Sequence, residues 1–307
     1  MKALVSGGAG FIGSHLVRRL LTEGYVVDVV DDLSTGKAEN LDGLSIEIDR
    51  RDLSRDPLAE VVRNVDVVFH LAAVPSVPRS VRDPLRSHEA AATATLRLLQ
   101  ASRDAGVKTF VNSSSSSVYG NVASPPMRES MPTLPRSPYA VAKLAAEGYT
   151  RAFASLFGMR TVSLRYFNVF GPRQDPTSEY AAVVPRFVKA YVDRQRPQVF
   201  DDGRQSRDFT HVGNVVEANL LASRAERLAG ESVNVAAGAP RSVIDLLDEI
   251  STAFGYWLEP EFQPARPGDI RDSYADISAA RDLLGYRPVV DFATGLRETI
   301  AWLRSTH

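Results

Sequence analysis

The chain has 307 residues, of which 44% are hydrophobic and 24% charged, a composition that excludes a small disulfide-stapled protein and a disordered chain. The 36 Lys and Arg residues and the 37 Asp and Glu residues nearly cancel, leaving a net charge of −1. No overall field therefore attracts nucleic acid or an anionic membrane. Cysteine is absent, which excludes disulfides, thiolate nucleophiles and cysteine zinc sites and favours the cytoplasm.

Membrane segments and metal sites are not expected either. No apolar run reaches the ~18 residues of a membrane span. The chain passes from Lys2 directly to a glycine turn, so we expect no secretory leader. His70, His88 and His211 have no metal-ligand spacing, and we predict no metal centre.

Short β-branched runs alternate with helical patterns in the first half of the chain. Strands are predicted at 2–6, 26–30, 46–48, 65–71, 109–112 and 161–165, and helices at 11–24, 85–105 and 139–157. Beyond Asn168 the pattern is broken by Pro and Gly, with helices at 181–192 and 214–225 and a strand at 232–235. This alternation predicts a parallel sheet with helices on both faces.

The predicted fold is therefore α/β, a doubly wound parallel sheet with a smaller C-terminal α/β lobe. The nucleotide-binding domain is expected over 1–167, joined again by about 208–236. The remaining segments, 168–207 and 237–307, form the substrate lobe, because long connections rich in Arg and Pro are typical of binding regions.

A glycine loop joins the first predicted strand to the first helix. Gly7, Gly10 and Gly13 have the spacing G-x-x-G-x-x-G, which lets the backbone turn sharply and present free N–H groups to a pyrophosphate. Asp31 ends the second strand, where a carboxylate can accept both hydroxyls of an adenosine ribose. We therefore predict a dinucleotide site.

The acidic residues after the second strand favour NAD over NADP. A carboxylate repels a 2′-phosphate, and no Arg accompanies Asp31 and Asp32 in the sequence, although Lys37 is close. Asp52, after the third strand, has two interpretations. It contacts the adenine, or it caps the next helix.

A phenol and an ammonium are expected on one helix face. Tyr139 and Lys143 are four residues apart, and the serines 113–117 directly follow a strand. Ligands of an open α/β sheet bind at the carboxyl ends of its strands. The two segments can therefore converge on one site.

The combination resembles the extended short-chain dehydrogenase/reductase family, which has a Rossmann fold, and within it the nucleotide-sugar 4-epimerases. The similar segments span nearly the whole chain: GGAGFIGSHL, DDLSTGKAENL, FHLAA, SSSSSVYG, SPYAVAK, LRYFNVFGPRQDP, QSRDFTHV and RPGDIRDS. Three further stretches, SVPRS, RQDPTSEYAAVVPRF and VEANLLA, resemble the subgroup that accepts N-acetylated or uronic UDP-sugars.

The resemblance implies three catalytic residues. Tyr139 would be the acid/base on the sugar 4-hydroxyl, Lys143 would lower the pKa of that phenol and hold the nicotinamide ribose, and Ser115 would hydrogen-bond the 4-hydroxyl. A phenol with a pKa near 10 needs a fixed cation to act as a base at neutral pH. Hydride would pass from C4 to NAD and return to the other face of a 4-keto sugar.

The resemblance also implies the binding residues. Those expected to hold a tightly bound NAD are Gly7, Gly10, Phe11, Ile12, Gly13, Asp31, Asp32, Asp52, Leu53, Leu71, Ala72, Ala73, Tyr139 and Lys143. Those expected to hold a UDP-sugar are Ser115, Ser116, Ser117, Asn168, Arg186, Arg207, Arg266, Asp269 and Ser273. A homodimer through the helix that bears Tyr139 and the preceding long helix is implied as well.

Several alternatives remain open. Ser273 in place of a bulky Tyr leaves room for an N-acetyl group, whereas Arg186 could meet the carboxylate of a UDP-uronic acid such as UDP-glucuronate. Related dehydratases and decarboxylases carry acidic residues where Ser116 and Ser117 stand, which favours epimerisation over elimination. A reductase with exchangeable cofactor and a non-catalytic NAD sensor are the other readings.

Overall fold

The structure is a computed structural model that describes residues 1–121, 125–177, 182–265 and 271–306. Within these ranges no helix is both long and apolar enough to cross a membrane.

Strands and helices alternate as the sequence predicts. The strands are β1 (Lys2–Ser6), β2 (Val26–Val30), β3 (Ile48–Asp49), β4 (Val67–His70), β5 (Thr109–Ser115), β6 (Arg160–Tyr166), β7 (Val169–Phe170), β8 (Gln198–Phe200), β9 (Ser206–Arg207), β10 (Thr210–His211), β11 (Glu231–Val235), β12 (Arg241–Ser242), β13 (Glu261–Gln263) and β14 (Asp272–Ser273). The helices are α1 (Phe11–Thr22), α2 (Val77–Arg82), α3 (Pro84–His88), α4 (Ala94–Asp104), α5 (Pro138–Phe157), α6 (Val183–Val192), α7 (Val212–Arg224), α8 (Val243–Phe254), α9 (Ser278–Leu284) and α10 (Phe292–Thr306).

A parallel sheet of seven strands forms the centre, in the order β11-β6-β5-β4-β1-β2-β3. β1 is buried from Ala3 to Ser6 between apolar layers, as expected when helices cover both faces. The chain leaves β1 for β2 on one side and later returns to β4 on the other, so the order reverses beside β1. A crevice opens there at the carboxyl ends of the strands. The doubly wound α/β prediction is confirmed.

The smaller lobe is built from α6, α8, α10 and short strands. Its core is a separate apolar cluster that includes Phe187, Tyr191, Leu246 and Leu296. Two small sheets, β12-β9-β14 and β13-β8, flank this cluster. Between the segments of the lobe, α7 and β11 return to the main sheet, with β11 paired to β6.

One predicted helix, 85–105, is not continuous. α3 ends at His88, a π-helical turn occupies Glu89–Thr93, and α4 begins at Ala94. Such turns often lie at functional sites, and here Ala90 and Ala94 line the crevice at the carboxyl ends of the strands. Local periodicity could not indicate this wider turn because alanine is compatible with every helix type.

Strand β5 is longer than predicted and continues through the serines to Ser115. Buried hydroxyls need hydrogen-bond partners, and these come from α5: Lys143 Nζ donates to Ser113 Oγ at 3.3 Å, and Ser114 Oγ donates to Glu147 Oε1 at 2.5 Å. Three further helices, α8, α9 and α10, were not predicted; their apolar faces cover the smaller lobe and one edge of the sheet.

Candidate active site

A cavity of about 610 Å³ lies at the carboxyl ends of β1, β2, β4 and β5. Every residue predicted to hold the cofactor lines it: Gly7, Gly10, Phe11, Ile12, Gly13, Asp31, Asp32, Asp52, Leu53, Leu71, Ala72, Ala73, Tyr139 and Lys143. These residues come from five separate segments of the chain, and the switch of strand order brings the segments together.

The glycine loop is built so that only glycine fits. Gly7 has φ +71°, and a Cβ added there would lie 2.7 Å from the Ala72 backbone nitrogen. A Cβ on Gly13 would lie 2.1 Å from the Gly7 carbonyl oxygen. Helix α1 starts at Phe11, and no side chain caps its first turn. Its free N–H groups therefore face the cavity, where a pyrophosphate fits.

Asp31 follows β2, contacts the glycine loop and is 7% exposed. Its carboxylate accepts hydrogen bonds from the backbone nitrogens of Ala9 and Leu33, each at 2.9 Å. Burial raises the pKa of Asp31, and these hydrogen bonds partly oppose the rise. Lys37, close in sequence, instead pairs with Asp175 at 3.1 Å. The ribose end therefore presents a fixed carboxylate, as NAD requires.

Tyr139 and Lys143 stand on the first two turns of α5. Ser137 Oγ caps this helix by accepting from the Ala140 backbone nitrogen at 3.2 Å, and Pro138 occupies its first turn. Lys143 Nζ donates to the Ser113 carbonyl oxygen at 2.7 Å. This cap and the Lys143 contact fix both side chains against β5.

The phenol and the ammonium both have shifted pKa values. Burial raises the pKa of Tyr139, while a hydrogen bond with the Ser115 side chain lowers it. Burial lowers the pKa of Lys143 to about 8, against the opposing charge of Glu147. Lys143 is therefore mostly a cation at neutral pH, one helical turn from the phenol.

Among the five serines, Ser115 is the one whose side chain lowers the pKa of the Tyr139 phenol through hydrogen bonding. Its Oγ also accepts from Ser117, from the backbone nitrogen at 3.2 Å and from Oγ at 2.8 Å. Ser116 and Ser117 begin a short 3-10 helix, whereas Ser113 and Ser114 line the cavity wall.

A buried ion pair supports this arrangement, and the sequence analysis missed it. Glu147 accepts from Arg165 Nε at 2.9 Å and Nη2 at 2.7 Å, and from Ser232 Oγ at 3.0 Å. Ser114 makes the fourth contact. Glu147 thus ties α5 to β5, β6 and β11 beneath Lys143. Its position four residues after Lys143 is the signal that could have indicated it.

A second cavity, of about 470 Å³, adjoins the first. Val169 and Ala182 line both cavities. Of the predicted substrate residues, Asn168, Arg186 and Arg207 line the second. The aromatic residues Phe187 and Phe200, which the sequence analysis missed, line it too, together with Phe170, Phe209 and several aliphatic residues.

The other predicted substrate residues lie elsewhere. Ser115, Ser116 and Ser117 line neither cavity. Ser273 is buried on β14, beside Arg207 on β9, and lines neither cavity. Arg266 and Asp269 lie outside the described residues. Asn168 has φ +34°, and its Nδ2 donates to the Asp208 carbonyl oxygen at 3.4 Å.

The family model of the NAD-dependent epimerase/dehydratase family matches residues 3–236. The chain belongs to this family. NAD is the family's cofactor, and the glycine loop, Asp31 and Lys143 form a site that fits it. A curated relative, the UDP-glucose 4-epimerase of Mycolicibacterium smegmatis, is 40% identical over 99% of both chains.

Solved structures of other epimerases share the whole fold of this epimerase/dehydratase family member. A UDP-N-acetylglucosamine 4-epimerase from Methanobrevibacter ruminantium, in complex with UDP-N-acetylmuramic acid, has a TM-score of 0.96 and 40% identity, covering 100% of this chain and 99% of its own. A UDP-glucuronic acid 4-epimerase from Bacillus cereus, in complex with UDP-glucuronic acid and NAD, has a TM-score of 0.91 and 32% identity, covering 100% of both. These relatives share the 4-epimerase reaction and differ in the sugar.

Proposed function

We propose that this protein is an NAD-dependent UDP-sugar 4-epimerase. It inverts C4 of a UDP-hexose through a transient 4-keto sugar, converting UDP-glucose and UDP-galactose and also their N-acetylated counterparts. The observation that carries the proposal is that Tyr139 and the buried ammonium of Lys143 line the dinucleotide cavity together, with Lys143 Nζ 2.7 Å from the Ser113 carbonyl oxygen and the Ser115 side chain lowering the pKa of the phenol.

Tyr139 exchanges the proton of the sugar 4-hydroxyl. Burial favours the neutral phenol, and the Ser115 hydrogen bond opposes this effect. We assign to the Lys143 cation the role of favouring the phenolate. Tyr139 therefore takes the proton as C4 is oxidised and returns it as C4 is reduced. Ser115 holds the 4-oxygen in hydrogen-bond reach of the phenol.

Bound NAD supplies the hydride acceptor and donor, so the cycle has no net redox change. The chain's own contribution is to hold the dinucleotide, with the α1 N-terminus at the pyrophosphate and Asp31 at the ribose. Loss of the cofactor between the two half-reactions would leave a reduced cofactor and a free ketone. Tight retention is therefore part of the function.

Epimerisation is favoured over elimination by the side chains around the phenol. An elimination needs an acid and a base next to the catalytic hydroxyl, and the chain has Ser116 and Ser117 at those positions. The carboxylates of the described cavity wall, Asp31, Asp32, Asp52 and Asp175, belong to the loops after β2, β3 and β7, whereas the lining residues of α5 and β5 are Tyr139, Lys143, Ser113 and Ser114.

The second cavity suits the UDP part of the substrate. Arg207 offers a planar guanidinium for the diphosphate and Asn168 an amide, and the aromatic walls suit a flat base. We extend the same role to Arg266, as a second diphosphate contact, and to Asp269, at the uridine ribose. Ser116 and Ser117 would complete the sugar end.

We assign recognition of the sugar's substituents at C2 and C6 to one residue each. Ser273 is buried beside Arg207, which lines the second cavity, and its small side chain would leave space for an N-acetyl group at C2. Arg186, whose Nη2 donates to the Gln198 carbonyl oxygen at 3.2 Å and whose guanidinium lies 5.5 Å from the Phe200 ring centroid, would instead favour a C6 carboxylate. UDP-glucuronate is thus the alternative substrate.

We also propose a homodimer. Exposed apolar side chains lie on α2, α3 and α5, among them Val81, Leu85 at 76% exposure, Val141 and Leu156. The three helices pack together, and a second copy of the chain would cover these side chains. Sedimentation of the purified protein tests this. The division into 1–167 with 208–236, and 168–207 with 237–307, and the cytoplasmic location stay predictions.

The deciding experiment incubates the purified protein, without added NAD, with UDP-glucose, UDP-N-acetylglucosamine and UDP-glucuronate. Chromatography resolves the 4-epimers, and Tyr139→Phe is the control. We expect a 4-epimer from at least one donor and none from the variant. If NAD is bound and no donor is converted, the proposal is wrong, and a reductase or a sensor replaces it.

A further inference from the structure

Arg86 occupies an unexpected place in the dinucleotide cavity. It stands on α3, far in sequence from Asp32 and Asp52, yet its guanidinium bridges both. Nη2 lies 2.8 Å from Asp32 Oδ2, and Nη1 lies 3.0 Å from Asp52 Oδ2. All three side chains line the cavity. No cofactor role was predicted for Arg86.

Hydrogen bonds orient the carboxylates of Asp32 and Asp52 toward Arg86. Asp32 Oδ1 accepts from the backbone nitrogen and the hydroxyl of Ser34, at 2.9 and 2.6 Å. Asp52 Oδ1 accepts from Ser54 in the same way, at 2.9 and 2.6 Å. Each carboxylate therefore keeps its other oxygen for Arg86.

Arg86 is positioned just as firmly. Asp83 caps α3 by accepting from the Arg86 backbone nitrogen at 3.0 Å. Burial lowers the pKa of Arg86, but the hydrogen bonds that its guanidinium donates to Asp52 and Asp32 outweigh burial and hold the pKa above its usual value. The guanidinium thus joins the loop after β2, the loop after β3 and α3 at one edge of the cavity.

This edge is the adenosine end. Asp31, the ribose-binding candidate, directly precedes Asp32, and Leu53 directly follows Asp52; both line the same part of the wall. The pyrophosphate end, at Gly10 and Gly13, lies on the α1 side. A dinucleotide in this cavity therefore has its adenosine bordered by the bridge from Asp32 through Arg86 to Asp52.

We propose that Arg86, Asp32 and Asp52 form a latch on the adenosine half of NAD, with Arg86 as the residue that sets how slowly the cofactor leaves. The inference rests on NAD binding in this cavity and not on which sugar is epimerised. The latch must open for the adenosine to depart. Both carboxylates pair with Arg86, so its guanidinium does not bind a 2′-phosphate. The net charge at the ribose end stays negative, which disfavours a 2′-phosphate.

The test measures cofactor release rather than turnover. The protein is loaded with NADH, mixed with excess NAD, and the loss of bound NADH fluorescence gives the release rate. We expect Arg86→Ala to release NADH roughly 10-fold faster than wild type, as expected when two charge-assisted contacts are lost. Release from wild type should accelerate with added NaCl, and this dependence should be weaker in the variant.

A matched control is available in Arg55. It pairs with Glu89 at 2.7 Å and lies 4.0 Å from Asp52, is 64% exposed, and does not line the cavity. Arg55→Ala should release NADH within about 2-fold of wild type. Arg86→Lys should be intermediate, because an ammonium lacks the planar fork that bridges two carboxylates.

Two further results decide between a latch and a general loss of structure. Thermal unfolding of the NAD-free proteins should be similar for wild type and Arg86→Ala. Asp32→Asn should accelerate release less in the Arg86→Ala background than in wild type, because the two residues act as one unit. An unchanged release rate in Arg86→Ala, or an equal acceleration in Arg55→Ala, would overturn the proposal.

Discussion

Burying the ammonium of Lys143 should lower the unfolding free energy of the NAD-free protein. Lys143 is 5% exposed, and burial lowers its pKa from 10.5 to about 8. At about 1.36 kcal/mol for each pKa unit, this lowering corresponds to about 3 kcal/mol. We predict that, in the NAD-free protein, the unfolding free energy of Lys143→Met relative to wild type falls by about this amount as the pH rises from 8 to 10.5.

The direction follows from proton binding. Between pH 8 and 10.5 the unfolded chain keeps the Lys143 proton, whereas the folded chain has released it. The unfolded state therefore binds more protons, and the stability contributed by this group rises with pH across this window. Below pH 8 the wild type bears the full cost of burying the charge, and the methionine variant does not.

The assay is urea unfolding at pH 7, 8, 9 and 10, followed by the fluorescence of Trp257 and Trp302. The stability of Lys143→Met relative to wild type should be highest at pH 7 and should fall as the pH rises. Lys108→Met, at an exposed lysine, removes the same charge and is the control. A difference that is constant with pH would refute the reasoning, because the ammonium would then not be desolvated.

Two other substitutions test the structural support of the site. Glu147→Gln should lower the unfolding free energy by about 3–5 kcal/mol, because Arg165 would keep a buried charge without its partner; chemical denaturation measures this. Gly13→Ala should abolish NAD retention after gel filtration, because the added Cβ would lie 2.1 Å from the Gly7 carbonyl oxygen and the loop would have to move.

Each substitution has a control in the same chain. Glu60→Gln, at a side chain 57% exposed, should change stability by less than about 1 kcal/mol. Gly148→Ala, in α5, places its Cβ in open space and should stabilise the helix by about 0.5–1 kcal/mol. A Glu147→Gln protein as stable as Glu60→Gln, or a Gly13→Ala protein that retains NAD, would contradict the account of the site.

Much of this molecule could be predicted from its sequence because the deciding interactions are local. The parallel sheet follows from β-branched runs that alternate with helical periodicity. The glycine loop follows from the spacing of Gly7, Gly10 and Gly13, since steric limits at those positions depend on the loop itself. Tyr139 and Lys143 share a helix face through the α-helical repeat alone.

Other features depend on residues that are distant in sequence. The π-helical turn at Glu89–Thr93 was not predicted, because an alanine-rich segment has no local preference that separates it from an α-helix. The second cavity depends on how α6 and β8 pack against the main domain. No periodicity in the sequence encodes that packing.

The ion pairs around the cavity were decided by tertiary structure. The sequence places no Arg beside Asp31 and Asp32, yet folding brings Arg86 to Asp32 from 54 residues away. It likewise brings Arg165 to Glu147 from the neighbouring strand β6. Local sequence determined which groups carry charge and where the backbone turns. Which charges meet was settled by the crossover connections of the sheet, because ion pairs form between whichever side chains the packed elements bring within a few ångströms.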